Sequence, residues 1–143
     1  MRAVIQVARD ASVSVDGTVV GTYEGLGLVV LLGVTHDDGP DQIERVARKI
    51  AQLRVLPGER SAEDEGAPIL LVSQFTLYGD TRKGRRPSWT RAAPGDVAEP
   101  IYEAVAEALR ARGLRVAQGV FGAMMDVAFT NVGPMTVLVE AEA

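Results

Sequence analysis

The sequence predicts an α/β fold, in which a mostly antiparallel or mixed sheet curls into an open barrel with two helices on its outside. The segments read in order as three or four strands, a helix, a strand, a second helix and three strands. Two helices cannot cover both faces of a doubly wound parallel sheet of about seven strands. A chain of 143 residues, 47% hydrophobic and 24% charged, suits a single domain over residues 1–143.

The first strands are predicted from alternation and from a turn signal. "MRAVIQVAR" alternates, and in "ASVSVDGTVVGTY" the serines alternate with Val13 and Val15. Asp16-Gly17 is typical of a tight hairpin turn. "GLGLVVLLGV" is a continuous aliphatic run, which indicates a strand buried on both faces.

Two helices follow from apolar residues at helical spacing. Pro40 and Asp41 open "DQIERVARKIAQLRV", whose apolar residues recur every three or four positions. "PGDVAEPIYEAVAEALRARG" is the second helix, with Asp96 as candidate cap and Gly113 as the predicted stop. Pro100 favours a start near Glu99.

The remaining segments are a loop and short strands. "LPGERSAEDEGAP" is a polar break and predicts a mobile loop. "ILLVSQFTL" begins as a buried strand and changes character at Ser73. The tail contains the strand-like segments "LRVAQGVFG", "MMDVAFTN" and "MTVLVEA". Gly133-Pro134 precedes the last of them. Because proline cannot donate to a strand ladder, it marks either a bend before an edge strand or a working piece of backbone.

Composition excludes several classes of chemistry. The chain has no cysteine, which excludes disulfides, thiolate metal sites and a cysteine nucleophile. His36 is the sole histidine, and its polar surroundings indicate a solvated loop residue. No apolar run approaches the ~20 residues that a bilayer crossing requires, and we expect no signal peptide. A cytoplasmic location fits these features.

The charge distribution limits nucleic-acid binding to a local contact. Net charge is −4, whereas proteins that grip long duplexes usually carry a basic face. The one dense basic cluster is "TRKGRRPSWTR", in which a lone Trp and several hydroxyls are interleaved. This cluster is either a solvated loop or a contact to phosphate or nucleotide. Its candidate contacts to phosphate are Arg82, Lys83, Arg85 and Arg86.

Polar residues gather where a buried strand ends. In "LVSQFTLYGD", Ser73, Gln74 and Thr76 follow aliphatic residues. Groups at a strand end are held rigidly and still meet solvent, which suits a site, although such residues also simply end strands. A hydroxyl nucleophile needs a partner base, and no His or Lys lies nearby in the sequence.

Several motifs together resemble the D-aminoacyl-tRNA deacylase family, whose members were first called D-tyrosyl-tRNA deacylases. The motifs are "SQFTLYGD" at 73–80, "RKGRRPSW" at 82–89, "GVFGAMMDV" at 119–127 and "NVGPMTV" at 131–137. "MRAVIQ", "ASVSVDG" and "LLGVTHDD" extend the resemblance over nearly the whole chain. The last motif differs from the usual family pattern at Val132 and Met135.

The resemblance implies the family fold and a cytoplasmic homodimer. It implies hydrolysis of the ester that joins a D-amino acid, or glycine mischarged on tRNA-Ala, to the 3′ end of tRNA, without a metal or organic cofactor. It further implies that a Gly-Pro with a cis peptide bond enters the partner's active site and excludes L side chains. The matching gate residues are Gly133 and Pro134 with Met135 and Thr136, the strand-end residues are Ser73, Gln74, Phe75 and Thr76, and Phe121 and Met125 line the amino-acid side.

The resemblance also implies a mechanism in which the terminal 2′-hydroxyl of the tRNA assists the attack. The Gln74 side chain and the amides of Phe75 and Thr76 are candidates for stabilising the developing negative charge. Thr76 then orients the substrate instead of attacking it. Two alternatives remain at this stage: a non-catalytic module that binds an RNA end, and a structural dimer with Gly133-Pro134 as a turn at its interface.

Overall fold

The computed structural model describes residues 1–143 and contains a six-stranded mixed sheet. The strands are β1 (Arg2–Val15), β2 (Thr18–Thr22), β3 (Leu26–Gly33), β4 (Ile69–Ser73), β5 (Val116–Gln118) and β6 (Asp126–Glu140), and the helices are α1 (Pro40–Gln52), α2 (Ala62–Glu65) and α3 (Gly95–Ala111). The sheet order is β2-β1-β3-β4-β5, with β6 beside β1. β1 is antiparallel to its three neighbours, whereas β3, β4 and β5 run parallel. The predicted fold class is confirmed.

The sheet curls until its two ends meet, which nearly closes a barrel. β2 and β5 are the ends of the strand order and contact each other. Gly21 makes this approach possible, because a Cβ at that position would lie 2.5 Å from the carbonyl oxygen of Gln118. The seam of the barrel therefore depends on a residue without a side chain.

The core has one layer on each face of the sheet. The larger layer joins the sheet to α1 and α3, and Ile5, Ile50 and Leu109 are fully buried in it. The smaller layer lies on the opposite face and contains strand residues such as Val13 and Leu70. Alternating residues of β3 and β4 enter the two layers in turn, which is why both strands read as continuous aliphatic runs.

β6 is a single strand where the sequence predicted two, and this reduces the predicted count of seven strands to six. The strand continues past Gly133-Pro134 because its middle swings away from β1. Thr136 lies opposite Gln6 and Asn131 opposite Ala8, so residues 132–135 face Val7 alone. An excursion of this kind accommodates a proline, since the ladder is already interrupted there.

Three predictions about helices and their ends are wrong. The polar break between residues 56 and 68 contains the short helix α2, whose cap Ser61 accepts a hydrogen bond from the Asp64 amide and is buried. α3 starts at Gly95 and not near Glu99, and its cap is Pro94, so Asp96 lies in the first turn. The amides of Val97 and Ala98 donate to the Pro94 carbonyl at 3.0 and 2.9 Å, which fixes the earlier start despite Pro100. None of the helices combines the length and apolarity that a membrane crossing requires.

Candidate active site

A cavity of about 680 Å³ opens where β3 and β4 end. The turn after β4, the start of α3 and the segment that leads into β6 complete its walls. Most of the wall is apolar, and the polar groups gather on one side. The lining residues are Leu32, Val34, Val72, Ser73, Gln74, Phe75, Thr76, Trp89, Ala92, Ala93, Gly95, Ala98, Tyr102, Phe121, Gly122, Ala123, Met124, Met125 and Val127.

The strand-end residues 73–76 are held by backbone hydrogen bonds. The Gln74 amide donates to the Leu32 carbonyl at 2.7 Å and so extends the pairing of β3 with β4. A 3₁₀ turn follows at Phe75–Tyr78. The first N–H groups of such a turn have no partner within it. The amides of Phe75 and Thr76 therefore stand at the start of a rigid turn on the cavity wall.

Gln74 and Thr76 form a hydrogen-bonded pair. The Nε2 of Gln74 donates to the Oγ1 of Thr76 at 2.5 Å. Both residues line the cavity. The Thr76 hydroxyl thus orients the Gln74 amide group, because it fixes one of the two N–H bonds of that group.

The cavity contains no side chain suited to act as a general base. None of the lining residues is His, Lys, Arg, Asp or Glu. The only titratable lining residue is Tyr102, whose hydroxyl donates to the Leu71 carbonyl at 2.7 Å. Burial raises the pKa of Tyr102 to about 12, so it stays protonated. His36 contacts the Thr90 carbonyl at 2.9 Å and lies off the lining.

Phe121 and Met125 also line the cavity. The ring of Phe121 packs against that of Tyr102 with a centroid distance of 5.9 Å. Met125 packs over Gly119, where a Cβ would lie 2.5 Å from its sulfur. The structure therefore brings these two residues to the same cavity as residues 73–76, although they are about 50 positions apart in the chain.

Gly133 and Pro134 lie outside the cavity. The peptide bond between them is cis, and both residues are exposed. No atom lies within 4 Å of a Cβ built on Gly133. Met135 and Val132 are half-buried and pack against the larger core layer, so both differences from the family motif contribute apolar contacts that anchor the excursion. Thr136 is exposed and accepts a hydrogen bond from Gln6 at 3.4 Å.

The basic cluster is an exposed loop with a closed base. Asp80 and Ser88 exchange backbone hydrogen bonds at 2.8 and 2.9 Å. Arg82 binds back to Asp80 through two nitrogens at 2.9 and 2.6 Å, which holds the pKa of that carboxyl at about 2. The Arg82 charge is therefore balanced within the loop. The exposed cations Lys83, Arg85 and Arg86 have no ion-pair partner.

Sequence reasoning missed one wall of the cavity. The segment before and within the first turns of α3 contributes small residues, among them Ala92, Ala93 and Ala98, and Trp89 stands at the rim. The run "RAAPGDVA" was the available signal, since small residues next to a helix start permit close approach.

The fold and the cavity define a mixed barrel protein with an apolar pocket and an uncharged polar strand end. The family described as D-Tyr-tRNA(Tyr) deacylase matches residues 4–140, and the chain belongs to it. The family predicted from the motifs is thus confirmed, as is the prediction that the chain is an enzyme of the D-aminoacyl-tRNA deacylase type.

Relatives support this assignment over full length. A D-aminoacyl-tRNA deacylase of Kineococcus radiotolerans is 64% identical, covering 99% of this chain and 100% of its own. One of Micrococcus luteus is 63% identical over 99% of this chain and 95% of its own. The solved structure of a c-Myc DNA Unwinding Element Binding Protein is similar with a TM-score of 0.91, 38% identity and full coverage of both chains.

Proposed function

We propose that the chain hydrolyses the ester of D-aminoacyl-tRNA, and of glycyl-tRNA mischarged on tRNA-Ala, and releases the amino acid and intact tRNA. The observation that carries this proposal is the cavity, in which residues 73–76 face Phe121 and Met125 without any ionisable base. The whole chain, residues 1–143, acts as one domain, and its tRNA substrate assigns the reaction to the cytoplasm.

The strand end supports an orienting role in ester hydrolysis. The Gln74 amide group and the amides of Phe75 and Thr76 are donors for the carbonyl oxygen, which gains negative charge as water attacks. The bond between the carbonyl carbon and the 3′ oxygen breaks, and that oxygen receives a proton from the attacking water. Because the cavity offers no base, the neighbouring 2′-hydroxyl of the tRNA assists the proton transfer.

We assign rejection of L-amino acids to Gly133 and Pro134 of a second copy of the chain. These residues are exposed, and they do not line the cavity of their own chain. β6 pairs only with β1, which leaves its other edge open over 15 residues. The unpaired N–H and C=O groups of a long open edge are a template for pairing with another chain. In such a homodimer the gate excludes side chains of the wrong hand by collision, and glycine passes because it has none.

The loop cations complete the substrate contact. Lys83, Arg85 and Arg86 are exposed on the loop that leads to Trp89, a cavity-lining residue, and we assign them to the phosphates of the acceptor end. Arg82 contributes less, since Asp80 already balances its charge. This arrangement agrees with a local contact by an acidic protein and not with binding along a duplex.

Hydrolysis of paired substrates tests the proposal. We expect release of D-tyrosine from D-tyrosyl-tRNA and of glycine from mischarged tRNA-Ala, with L-tyrosyl-tRNA left intact. Binding of the D-ester without release would instead indicate a non-catalytic RNA-end module. Absence of binding would leave only a structural dimer.

A charge on the open strand tests the homodimer. Leu138 on β6 is 73% exposed, so Leu138→Asp leaves the protomer folded while it disrupts a dimer through this face. We expect Leu138→Asp to sediment as a monomer and to lose hydrolytic activity. Val19→Asp on β2 is the matched control, because Val19 is 55% exposed and lies on another strand. An active monomer would contradict a gate supplied by the second copy.

A further inference from the structure

We propose that Trp89 and Phe75 form an aromatic platform that stacks the base next to the esterified nucleotide of the tRNA. The inference rests on the proposed function and adds a recognition site at the rim of the cavity. Both residues line the cavity mouth, and they are 42% and 57% exposed. Large aromatic surface left exposed at the rim of a site indicates that a ligand covers it.

The platform is held in place from below. Trp89 lies on the backbone of Gly79, where a Cβ would be 2.7 Å from the indole ring. The Phe75 ring meets the indole edge-on, with centroids 5.4 Å apart and planes at 72°. The hydrogen bonds between Asp80 and Ser88 fix the loop directly before Trp89. The indole therefore keeps one orientation without a ligand, which lowers the entropy lost on binding.

The surroundings favour a nucleobase as the occupant. Lys83, Arg85 and Arg86 belong to the same loop and supply positive charge for phosphates. Single-stranded nucleic acid is typically bound by cations along its backbone and aromatic rings against its bases. A hydrophobic side chain would not require the cations, and a free phosphate would not require the rings.

The position of the platform identifies which base it meets. The cavity of about 680 Å³ lies in the size range that holds a drug-sized ligand, so it has room for the aminoacyl group and the nucleotide that carries it. Trp89 lies at the rim, so the next nucleotide of the unpaired 3′ end reaches it first. Stacking tolerates any base, so the platform adds affinity for different tRNAs without reading their sequence.

Variants at Trp89 test this site through hydrolysis kinetics. We expect Trp89→Leu, which keeps apolar bulk without an aromatic face, to lower kcat/KM for D-aminoacyl-tRNA about 5- to 100-fold through KM. Trp89→Phe keeps an aromatic face and should lose about threefold or less. Val20→Leu on β2 is the control, because Val20 is 42% exposed and does not line the cavity.

A substrate without the stacked base separates stacking from other losses. On an aminoacyl hairpin RNA that is abasic at this position, wild type and Trp89→Leu should differ less than twofold. Equal penalties of Trp89→Leu on both substrates, or no penalty on either, would overturn the platform. Thermal unfolding of each variant shows whether a loss of activity comes from misfolding. If Trp89→Leu is misfolded, Trp89→Phe replaces it in the comparison with wild type on both substrates.

Fluorescence gives a readout that does not depend on catalysis. Trp89 is the only tryptophan, so its fluorescence reports on this site alone. The quencher is a hairpin RNA that carries no amino acid and has an unpaired 3′ end. We expect quenching by the intact RNA and not by the abasic one. If the wild type failed to hydrolyse the D-ester, the proposed function would be refuted. The titration would still test whether the platform binds a base. Equal signals from both RNAs would refute it.

Discussion

Replacing Thr76 by Val removes the hydroxyl that accepts a hydrogen bond from the side-chain amide of Gln74 at 2.5 Å, and it keeps the shape of the side chain. If Thr76 acts only through Gln74, the loss is that of one partly exposed hydrogen bond, about 0.5–1.5 kcal/mol, or about 2- to 12-fold in rate. If the Gln74 side chain donates to the carbonyl oxygen, as proposed, Gln74→Ala should cost about 100-fold or more.

The double variant distinguishes orientation from direct attack. Since Thr76 would have nothing left to orient, Thr76→Val should add almost nothing to Gln74→Ala, and the coupling energy should nearly equal the cost of Thr76→Val alone. The assay is single-turnover release of D-tyrosine from D-tyrosyl-tRNA with saturating enzyme. Thr76→Ser, which keeps the hydroxyl, is the matched control. Complete loss in Thr76→Val, or additive losses in the double variant, would refute this role of Thr76.

Four further outcomes are expected. Gly133→Ala should leave thermal unfolding unchanged, because nothing lies within 4 Å of the new methyl. If the proposed gate enters the cavity of a second copy, the methyl should cost about 1–3 kcal/mol there and lower turnover about 5- to 150-fold, and a normal rate would place the gate elsewhere. Gly21→Ala should lower the urea unfolding free energy by about 1–3 kcal/mol, because its methyl would lie 2.5 Å from the Gln118 carbonyl oxygen, and unchanged stability would contradict the close seam. Burial raises the pKa of Tyr102 from 10.0 to about 12, so neutral Tyr102 stabilises the fold fully below the pKa of the unfolded state, and this contribution declines from about pH 10 to about pH 12. Phenolate absorbance, followed together with circular dichroism during a pH titration, checks this expectation. Ionisation of all tyrosines near pH 10 in the folded protein would argue against it. EDTA should leave hydrolysis unchanged, because no group of three His, Cys, Asp or Glu side chains is placed to hold a metal ion, and inactivation by chelation would reveal one.

The sequence alone was sufficient for the fold class and the family. Alternation, the hairpin signal at Asp16-Gly17 and the aliphatic runs of β3 and β4 are local patterns, and each reports on burial at its own position. Residues 73–76 could be recognised as a candidate site for the same reason, because the change from aliphatic to polar side chains occurs within one segment. Gly113 was also predictable as a helix stop, and the chain adopts a positive φ of 82° there.

Contacts between distant segments required the tertiary structure. Periodicity does not reveal that β6 passes Gly133-Pro134 unbroken, since this depends on its register against β1. Nor does it reveal the Ala-rich wall before α3, or that Asp80 balances the charge of Arg82. Each depends on which surfaces meet after folding.

The sequence by itself therefore determined the fold class, the family and the candidate site residues, and the tertiary structure decided how those residues are divided in space. Residues 73–76, Phe121 and Met125 share one cavity, while Gly133 and Pro134 lie outside it. The physical reason is that side-chain type and spacing act over a few residues, whereas the curl of the sheet and the packing of α3 act over the whole chain. The same packing places the indole of Trp89 on Gly79 and against Phe75.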